Sequence, residues 1–203
     1  MGAKVMKKRC IITIGREYGS KGRIIGEKLA ERLGISFYDR KFLELAAIET
    51  GYSEEDLSEQ DEFIDRKYFP YKTENLSEEL FNIQSRLMVE KAKNESCVIV
   101  GRCSDIILKD FANVVHIFIY GEEDDRVQTI MERNQTDEIK ARKELKKVEK
   151  MRKNYYQYYT DTEWGSRENK DLLINSSTSG VEGAIELILS YLRIRGFIGS
   201  EEK

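Results

Sequence analysis

The segment of residues 10–26 (CIITIGREYGSKGRIIG) constrains the fold of this chain more than any other. An apolar, β-branched run over residues 10–14 enters a turn that is rich in glycine, and an amphipathic stretch over residues 24–33 leaves it. This order predicts a strand, a glycine loop and a helix. In such an arrangement bare backbone N–H groups and the N-terminus of the helix point at one place, where they favour an anion such as phosphate.

The glycine loop differs from a standard Walker A motif, in which a glycine is followed by four residues and then by Gly-Lys-Ser/Thr. Here Gly19 follows Gly15 after three residues, and Gly22 and Arg23 stand where the lysine and the hydroxyl residue would align. Lys21 lies just before them. The residues therefore predict a phosphate-binding loop with altered chemistry, and a plain strand–helix turn is the alternative.

Four further apolar runs alternate with helical patterns along the chain. The predicted strands lie at residues 10–14, 35–38, 97–100, 114–119 and 171–174. The predicted helices lie near residues 22–33, 40–50, 77–94, 102–109, 122–133, 137–159 and 181–195. Apolar runs of this length are typical of strands buried on both faces of a parallel sheet. The alternation predicts a doubly wound α/β domain, whose ligands bind beyond the carboxyl ends of the strands.

Length, charge and cysteine content exclude several classes of protein. A chain of 203 residues fits one domain. Its three scattered cysteines argue against a disulfide framework, and its single histidine argues against a zinc site. Cys10 and Cys97 each precede an apolar run, so both are expected in the core. With no signal peptide and no apolar stretch of transmembrane length, we expect a cytoplasmic protein without a membrane partner. The net charge of −3 gives no general attraction to nucleic acid, and the association of copies of the chain stays open.

Two polar residues stand at the predicted carboxyl ends of strands. Asp39 suits a ribose contact or a metal-linked carboxylate, but it equally suits the N-cap of the next helix, and by itself the cap is favoured. Arg102 follows Gly101 and can bind an anion with both arms of its guanidinium group. The alternative for Arg102 is a surface arginine that caps a helix or pairs with Asp105. The predicted place of Arg102 on the ligand side of the sheet favours the anion.

A basic region follows the fourth predicted strand. Arg126 and Arg133 lie two turns apart on one predicted helix, and Arg152 belongs to a basic stretch over residues 140–153. Such a stretch is commonly a solvated helix with i,i+4 ion pairs. It also suits a mobile lid that closes over phosphates. With the tyrosines at 155–159 it could bind bases, although the negative net charge argues against nucleic acid. His116, inside the fourth strand, is interpreted as a hydrogen-bonded core residue.

A series of short motifs spreads over nearly the whole chain. In order they are residues 14–26 (IGREYGSKGRIIG), 33–39 (LGISFYD), 100–105 (VGRCSD), 115–119 (VHIFI), 155–160 (YYQYYT), 164–165 (WG) and 171–176 (DLLINS). Together they resemble the cytidylate kinase-like branch of the P-loop nucleoside monophosphate kinases. The resemblance implies a three-layer α/β/α sandwich around a five-stranded parallel sheet, as a single domain over residues 1–203. It also implies an acceptor-side helical insertion at residues 52–95 and a lid at residues 121–153.

The chemistry that the resemblance implies is transfer of the γ-phosphate of ATP to a nucleoside monophosphate or a related small phosphate acceptor, with Mg²⁺. The residues implied for the nucleotide and its phosphates are Gly15, Arg16, Tyr18, Gly19, Ser20, Lys21, Gly22, Arg23 and Arg133. Those implied for catalysis are Arg23, Lys21, Arg126 and Arg152. Asp39 and Arg102 are implied for the acceptor. Because Arg23 replaces the hydroxyl ligand, the metal would depend on water, phosphate oxygens and a carboxylate such as Asp39.

The loop also departs from the resemblance at one position, because a glycine is expected where Lys21 stands. Of the two cations beside Gly22, we expect Arg23 to fold back over the loop and Lys21 to point to solvent. Two alternatives from other classes stay open. One is a non-catalytic P-loop module that binds a nucleotide or another anion, and the other is a nucleic-acid-binding domain.

Overall fold

A parallel sheet with the strand order β2-β3-β1-β4-β5 lies at the centre of the fold. The computed structural model describes residues 6–52 and 74–199 of the chain. The strands are β1 (Ile11–Arg16), β2 (Ser36–Tyr38), β3 (Cys97–Val100), β4 (Val114–Tyr120) and β5 (Leu172–Asn175). The predicted five-stranded parallel sheet is therefore confirmed, and each strand lies within two residues of its predicted bounds.

Helices cover both faces of this sheet. They are α1 (Gly22–Leu33), α2 (Lys41–Thr50), α3 (Glu74–Asn94), α4 (Ser104–Ile107), α5 (Glu123–Asn134), α6 (Glu138–Thr160) and α7 (Ser176–Ile194). Ile12 and Ile14 of β1 point into one core cluster, together with residues of α1 and α7. Ile11 points to the opposite side, into a cluster with Met88 of α3. Because neighbouring residues of a strand face opposite sides, this division produces the three layers that the resemblance implied.

Two helices differ from their predicted bounds for reasons of backbone conformation. The helix predicted near residues 102–109 is only the short α4, because Arg102 and Cys103 both adopt a positive φ of 55° before it begins. Helix α7 begins five residues before the predicted position 181, and Gly180 makes a kink inside it with φ 64° and ψ −177°. Glycine readily adopts such a conformation, so the chain turns there and then continues as a helix.

The remaining expectations about the fold concern burial, membranes and the insertion. Cys10 and Cys97 are fully buried, as predicted. No helix within residues 6–52 and 74–199 is long and apolar enough to cross a membrane. Of the insertion predicted at residues 52–95, the part from 53 to 73 lies outside the described residues, and α3 forms most of the remainder.

Candidate active site

The glycine loop joins β1 to α1 and leaves the N-terminus of that helix open. Lys21 is the N-cap residue, in a left-handed conformation with φ 61°, and no side chain among the described residues caps the helix. The first turn carries no acidic residue. Ser20 is buried, and its hydroxyl donates to the carbonyl oxygen of Glu17 at 2.9 Å, which tightens the turn. A 12-residue helix with such a terminus favours an anion there.

Gly19 lets this loop lie directly on α5. Its φ is 82°, a conformation that side chains of L-residues rarely adopt. A Cβ atom at this position would lie 2.5 Å from the carbonyl oxygen of Arg126. Both the conformation and the contact therefore require glycine, and the loop is held in a fixed place against the helix after β4.

A wide cleft opens in front of the loop and concentrates positive charge. Its volume is about 2090 Å³ when its open side is counted. The described basic residues that line it are Arg16, Lys21, Arg23, Arg40, Arg102, Arg133 and Arg152. The acidic ones are Glu17, Asp39, Glu132 and Glu144. In a protein with a net charge of −3, this excess of cations makes the cleft a favourable place for a polyanion.

Arg16 crosses the chain just after β3, where only a glycine leaves room for it. Gly101 has a φ of 77°, and a Cβ atom there would lie 2.0 Å from Nη1 of Arg16. The other arm of the guanidinium group, Nη2, is 4.0 Å from Oδ1 of Asp39. The missing side chain of Gly101 therefore leaves room for the Arg16 guanidinium group at the edge of the cleft.

Asp39 lies among arginines and does not cap the next helix. Arg23 donates from Nε to Oδ2 of Asp39 at 2.8 Å, and Arg102 donates from Nε to its carbonyl oxygen at 3.2 Å. The N-cap residue of α2 is Arg40, without a side-chain cap among the described residues. The favoured interpretation of Asp39 as a cap is therefore wrong, because the two arginines beside the cleft hold its carboxylate and its backbone instead.

The side chain of Arg23 runs along α1 in this structure and does not fold back over the loop. Besides its contact with Asp39, it donates from Nη1 to Oε2 of Glu27 at 3.1 Å, one turn along the helix. Its side chain is 56% exposed. Two carboxylates thus hold the guanidinium group away from the position that we expected. Lys21 is exposed, as we expected, and lies on the cleft.

Arg102 stands where the wide cleft meets a narrow cavity with aromatic walls. Arg16, Arg102 and Arg152 line both spaces. The aromatic residues of the narrow cavity are Phe118, Tyr155, Tyr156 and Trp164. Arg102 is only 6% exposed, which supports its predicted place on the ligand side of the sheet. An anion between the two spaces would meet all three arginines.

The cavity also contains a buried ion pair that the sequence did not indicate. Asp105, the alternative partner for Arg102, accepts hydrogen bonds from Nζ of Lys170 at 2.6 Å and from the hydroxyl of Tyr156 at 2.8 Å. The side chains of Lys170 and Asp105 are 3% and 9% exposed. Burial and the Asp105 carboxylate raise the pKa of Tyr156, so its hydroxyl stays protonated. No motif pointed to Lys170, because it lies in a charged stretch typical of a surface loop.

Arg126 lies behind the glycine loop rather than over it. Its side chain is 8% exposed and forms ion pairs with Glu17, at 3.3 Å from Nε to Oε2, and with Glu149 of α6. Burial raises the pKa of Glu17, although the backbone N–H of Gly121 and the Arg126 guanidinium oppose the shift. The structure thus gives Arg126 a place under the loop, where it ties the loop to two helices.

Arg133, Arg152 and Tyr18 come together where the glycine loop meets α5 and α6. The guanidinium carbons of Arg133 and Arg152 lie 4.8 and 5.4 Å from the centre of the Tyr18 ring. Arg152 also donates from Nη1 to the carbonyl oxygen of Arg16 at 3.2 Å. These are three of the residues that the resemblance implied for nucleotide binding and catalysis, and the fold brings them to one side of the cleft.

His116 is a core residue, as interpreted from the sequence. It is buried, and its Nδ1 lies 2.7 Å from Oγ1 of Thr13. Burial lowers the pKa of the imidazole, while the nearby carboxylates of Asp105 and Asp171 oppose the shift. The ring is therefore neutral at neutral pH and takes no part in the cleft.

The residues of the cleft fit a magnesium ion only when a nucleotide brings it. Within residues 6–52 and 74–199, no group of three or more histidine, cysteine or acidic residues could hold a metal ion. Asp39 offers one carboxylate, shared with Arg23. Since Mg²⁺ is commonly bound by one or two carboxylates together with water and substrate phosphates, this single carboxylate is compatible with it.

Comparisons with known proteins agree with this geometry. A family model with the description "Cytidylate kinase-like family" matches residues 11–178. A cytidylate kinase from Archaeoglobus fulgidus is 27% identical over 187 residues, which cover 91% of this chain and 95% of that protein.

Solved structures share the fold over most of this chain. An uncharacterized protein from Eubacterium ventriosum superimposes with a TM-score of 0.73 and 32% identity, covering 91% of this chain and 99% of that one. A shikimate kinase from Acinetobacter baumannii superimposes with a TM-score of 0.53 and 16% identity, covering 94% of this chain and 96% of that one. At that identity the likeness to shikimate kinase shows the fold alone.

Proposed function

Because this chain belongs to the cytidylate kinase-like family, we propose that it is a nucleotide-dependent phosphotransferase. It transfers the γ-phosphate of ATP to a nucleoside monophosphate or a related small phosphate acceptor. The observation that carries the proposal is the basic cleft at the open N-terminus of α1. Arginines line its boundary with the narrow cavity, where a phosphoryl group would pass from donor to acceptor.

The triphosphate of the donor lies along the glycine loop. Backbone N–H groups of residues 18–23 and the N-terminus of α1 hold its oxygens, and the exposed side chain of Lys21 adds positive charge. Residues 121–153, with α5 and most of α6, act as the lid of this single domain. Arg133 and Arg152 bring further cations from the lid to the cleft.

The acceptor lies in the wide cleft with its phosphate toward Arg102, at the boundary with the narrow cavity. The planar guanidinium group can bind two phosphate oxygens at once, and Asp39 holds the group in place through its carbonyl oxygen. In phosphoryl transfer the protein mostly positions the two substrates and neutralises charge. Arg16, Arg102 and Arg152 supply that charge at the boundary of the two spaces. Mg²⁺ bound to the nucleotide would neutralise further charge, with Asp39 accepting hydrogen bonds from its water ligands.

Arg23 takes over the part of the missing Walker lysine. Arg23 is the second residue of α1, next to the loop. Its side chain would reach the phosphates once its contacts with Asp39 and Glu27 are broken. Losing a cation that stabilises the transition state commonly costs about a hundredfold in rate. The variant Arg23→Ala should therefore lose most turnover, whereas Lys21→Ala should keep most of it. The reverse result would assign the part to Lys21.

A second candidate function is nucleotide binding without catalysis. The observation that favours it is the pairing of Arg23 with two carboxylates, in a loop that has no hydroxyl residue after Gly22. Such a protein would bind ATP and close its lid over the nucleotide, but it would release no ADP.

A coupled assay of ADP release separates the two candidates. Wild-type protein with ATP, Mg²⁺ and a panel of nucleoside monophosphates should show turnover with at least one acceptor. The variant Arg102→Ala should lose that turnover. The control variant Arg32→Ala should keep it, because Arg32 pairs with Glu182 and Glu186 on α7, away from the cleft. ATP binding without turnover on any acceptor would contradict the phosphotransferase and support the binding module.

A further inference from the structure

The backbone of Tyr18 is part of the glycine loop, and its side chain packs at the interface between α5 and α6. The ring packs against the apolar cluster of Val127, Ile130, Ala141 and Leu145. The backbone carbonyl oxygen of Tyr18 accepts a hydrogen bond from Nη1 of Arg126 at 3.4 Å. The loop that receives the triphosphate is therefore joined to both helices of the lid through one residue.

The hydroxyl of Tyr18 takes part in a network at the tip of this interface. It accepts a hydrogen bond from Nη2 of Arg133 and donates one to Oε1 of Glu144. The same carboxylate accepts from Nδ2 of Asn134, at 3.0 and 2.9 Å to its two oxygens. Burial and the bond to Glu144 raise the pKa of Tyr18, so the hydroxyl remains a donor at neutral pH. The network thus joins the end of α5 to the middle of α6.

The ring of Tyr18 also lies against the guanidinium groups of both lid arginines that line the cleft. A guanidinium group near an aromatic ring is attracted by the negative charge of its face. The contact restricts the long side chains of Arg133 and Arg152, which would otherwise sample many rotamers. Restricting them before the ligand arrives lowers the cost of ordering them on binding.

We propose that Tyr18 is a positioning residue, which holds Arg133 and Arg152 at the cleft and couples the two lid helices to the phosphate loop. The inference rests on the proposed function for its kinetic part. Tyr18 acts through the arginines, since its hydroxyl and its ring are both engaged by lid residues. Removing the side chain leaves the arginines in the protein but takes away the contact with Tyr18 that restrains both of them at the cleft.

The test uses two variants of Tyr18 and one matched control. Tyr18→Phe removes the hydroxyl network and keeps the ring, whereas Tyr18→Leu removes both. Tyr191→Leu is the control, because the ring of Tyr191 lies 5.6 Å from the guanidinium carbon of Arg195 and its hydroxyl donates to Asp171 at 2.6 Å. That residue on α7 loses the same kinds of contact outside the cleft.

Amide hydrogen exchange tests the coupling without any catalysis. Over residues 134–153 of the free protein, exchange should be at least tenfold faster in Tyr18→Leu than in wild type, and intermediate in Tyr18→Phe. Tyr191→Leu should exchange like wild type in this segment. Equal exchange in Tyr18→Leu and wild type would overturn the proposal, whatever the activity of the protein.

A double-mutant cycle in a background that carries both Arg133→Ala and Arg152→Ala distinguishes positioning from a merely structural part. Alone, Tyr18→Leu should lower kcat/KM for ATP about tenfold. In the background that lacks both arginines, it should lower kcat/KM less than twofold further. Multiplying effects would overturn the proposal, because Tyr18 would then act independently of the two arginines.

If wild type turns over no acceptor, the same cycle is measured on the affinity for inorganic tripolyphosphate. Tyr18→Leu should then weaken binding about tenfold in wild type and less than twofold in the background that lacks both Arg133 and Arg152. The phosphotransferase would have failed in that case, but the positioning of the lid arginines would still be tested by binding and exchange. Multiplying effects on binding would overturn the proposal here too.

Discussion

Replacing Gly101 with alanine tests how the backbone sets the position of Arg16. Gly101 has a φ of 77°, and a Cβ atom there would lie 2.0 Å from Nη1 and 2.8 Å from Cζ of Arg16. Two effects follow from the extra methyl group. A left-handed conformation costs a residue other than glycine about 1–2 kcal/mol, and the guanidinium group has to leave its place beside the cleft.

The two effects can be separated with Gly51→Ala as a control. Gly51 ends α2 with a φ of 76°, and a Cβ atom there would meet nothing within 4 Å. Both variants should therefore lose about 1–2 kcal/mol of unfolding free energy, which is about 2–8 °C in Tm for a chain of this size. Only Gly101→Ala also displaces an arginine from the cleft.

The expected loss of affinity follows from the contact that Arg16 would make with a phosphate under the proposed function. A charge-assisted hydrogen bond contributes about 1.5–3 kcal/mol, which corresponds to about 10- to 100-fold in Kd. Titration calorimetry with ATP should show this loss in Gly101→Ala and an unchanged Kd in Gly51→Ala. If both variants lose the same Tm and both keep the affinity of wild type for ATP, the result would refute the argument that Gly101 leaves room for Arg16 at a phosphate site.

Three further predictions concern the acceptor, the core and the buried ion pair. Arg102→Lys should weaken acceptor binding about tenfold, because lysine lacks the planar fork of arginine. The loss is measured as KM for the monophosphate, and the affinity for ATP should change little. An equal loss for both substrates would contradict the acceptor role of Arg102. Since burial lowers the pKa of His116 below its ordinary 6.5, the unfolded chain takes up the proton first. The free energy of unfolding should therefore fall by up to about 1.4 kcal/mol per pH unit as the pH drops below 6.5. When this free energy is measured by urea unfolding at several pH values, it should depend less on pH in His116→Gln than in wild type. Lys170→Met should destabilise the fold by about 3–5 kcal/mol, because it leaves the buried Asp105 carboxylate without its lysine partner. Adding Asp105→Leu should recover most of the loss, and no recovery would mean that the pair itself stabilises the fold.

The fold could be predicted because its signals are local. Apolar runs four to six residues long produced the five strands, and glycines such as Gly19 and Gly34 mark the turns around α1. The place of the cleft follows from the same signals, because parallel strands bring their carboxyl ends to one edge of the sheet. Two predicted helix bounds were wrong, because the backbone turns at residues 102 and 103 and has a kink at Gly180.

The contacts of the candidate site residues could not be predicted, because they depend on tertiary packing. Arg23 turns to Asp39 only because β2 ends beside α1, and nothing in the loop itself indicates this pair. Arg126 is buried because the loop lies on α5 at Gly19, and its spacing from Arg133 indicated only that the two arginines share one face of the helix. Lys170 and Asp105 are 65 positions apart, so no local pattern joins them.

The position of a bound triphosphate tests the central claim most directly. A crystal structure of the protein grown with ATP and Mg²⁺ should show the β- and γ-phosphates against the backbone N–H groups of residues 18–23, with guanidinium groups of the cleft around them. A nucleotide bound elsewhere, with the loop and the N-terminus of α1 free of phosphate at millimolar ATP, would contradict the account.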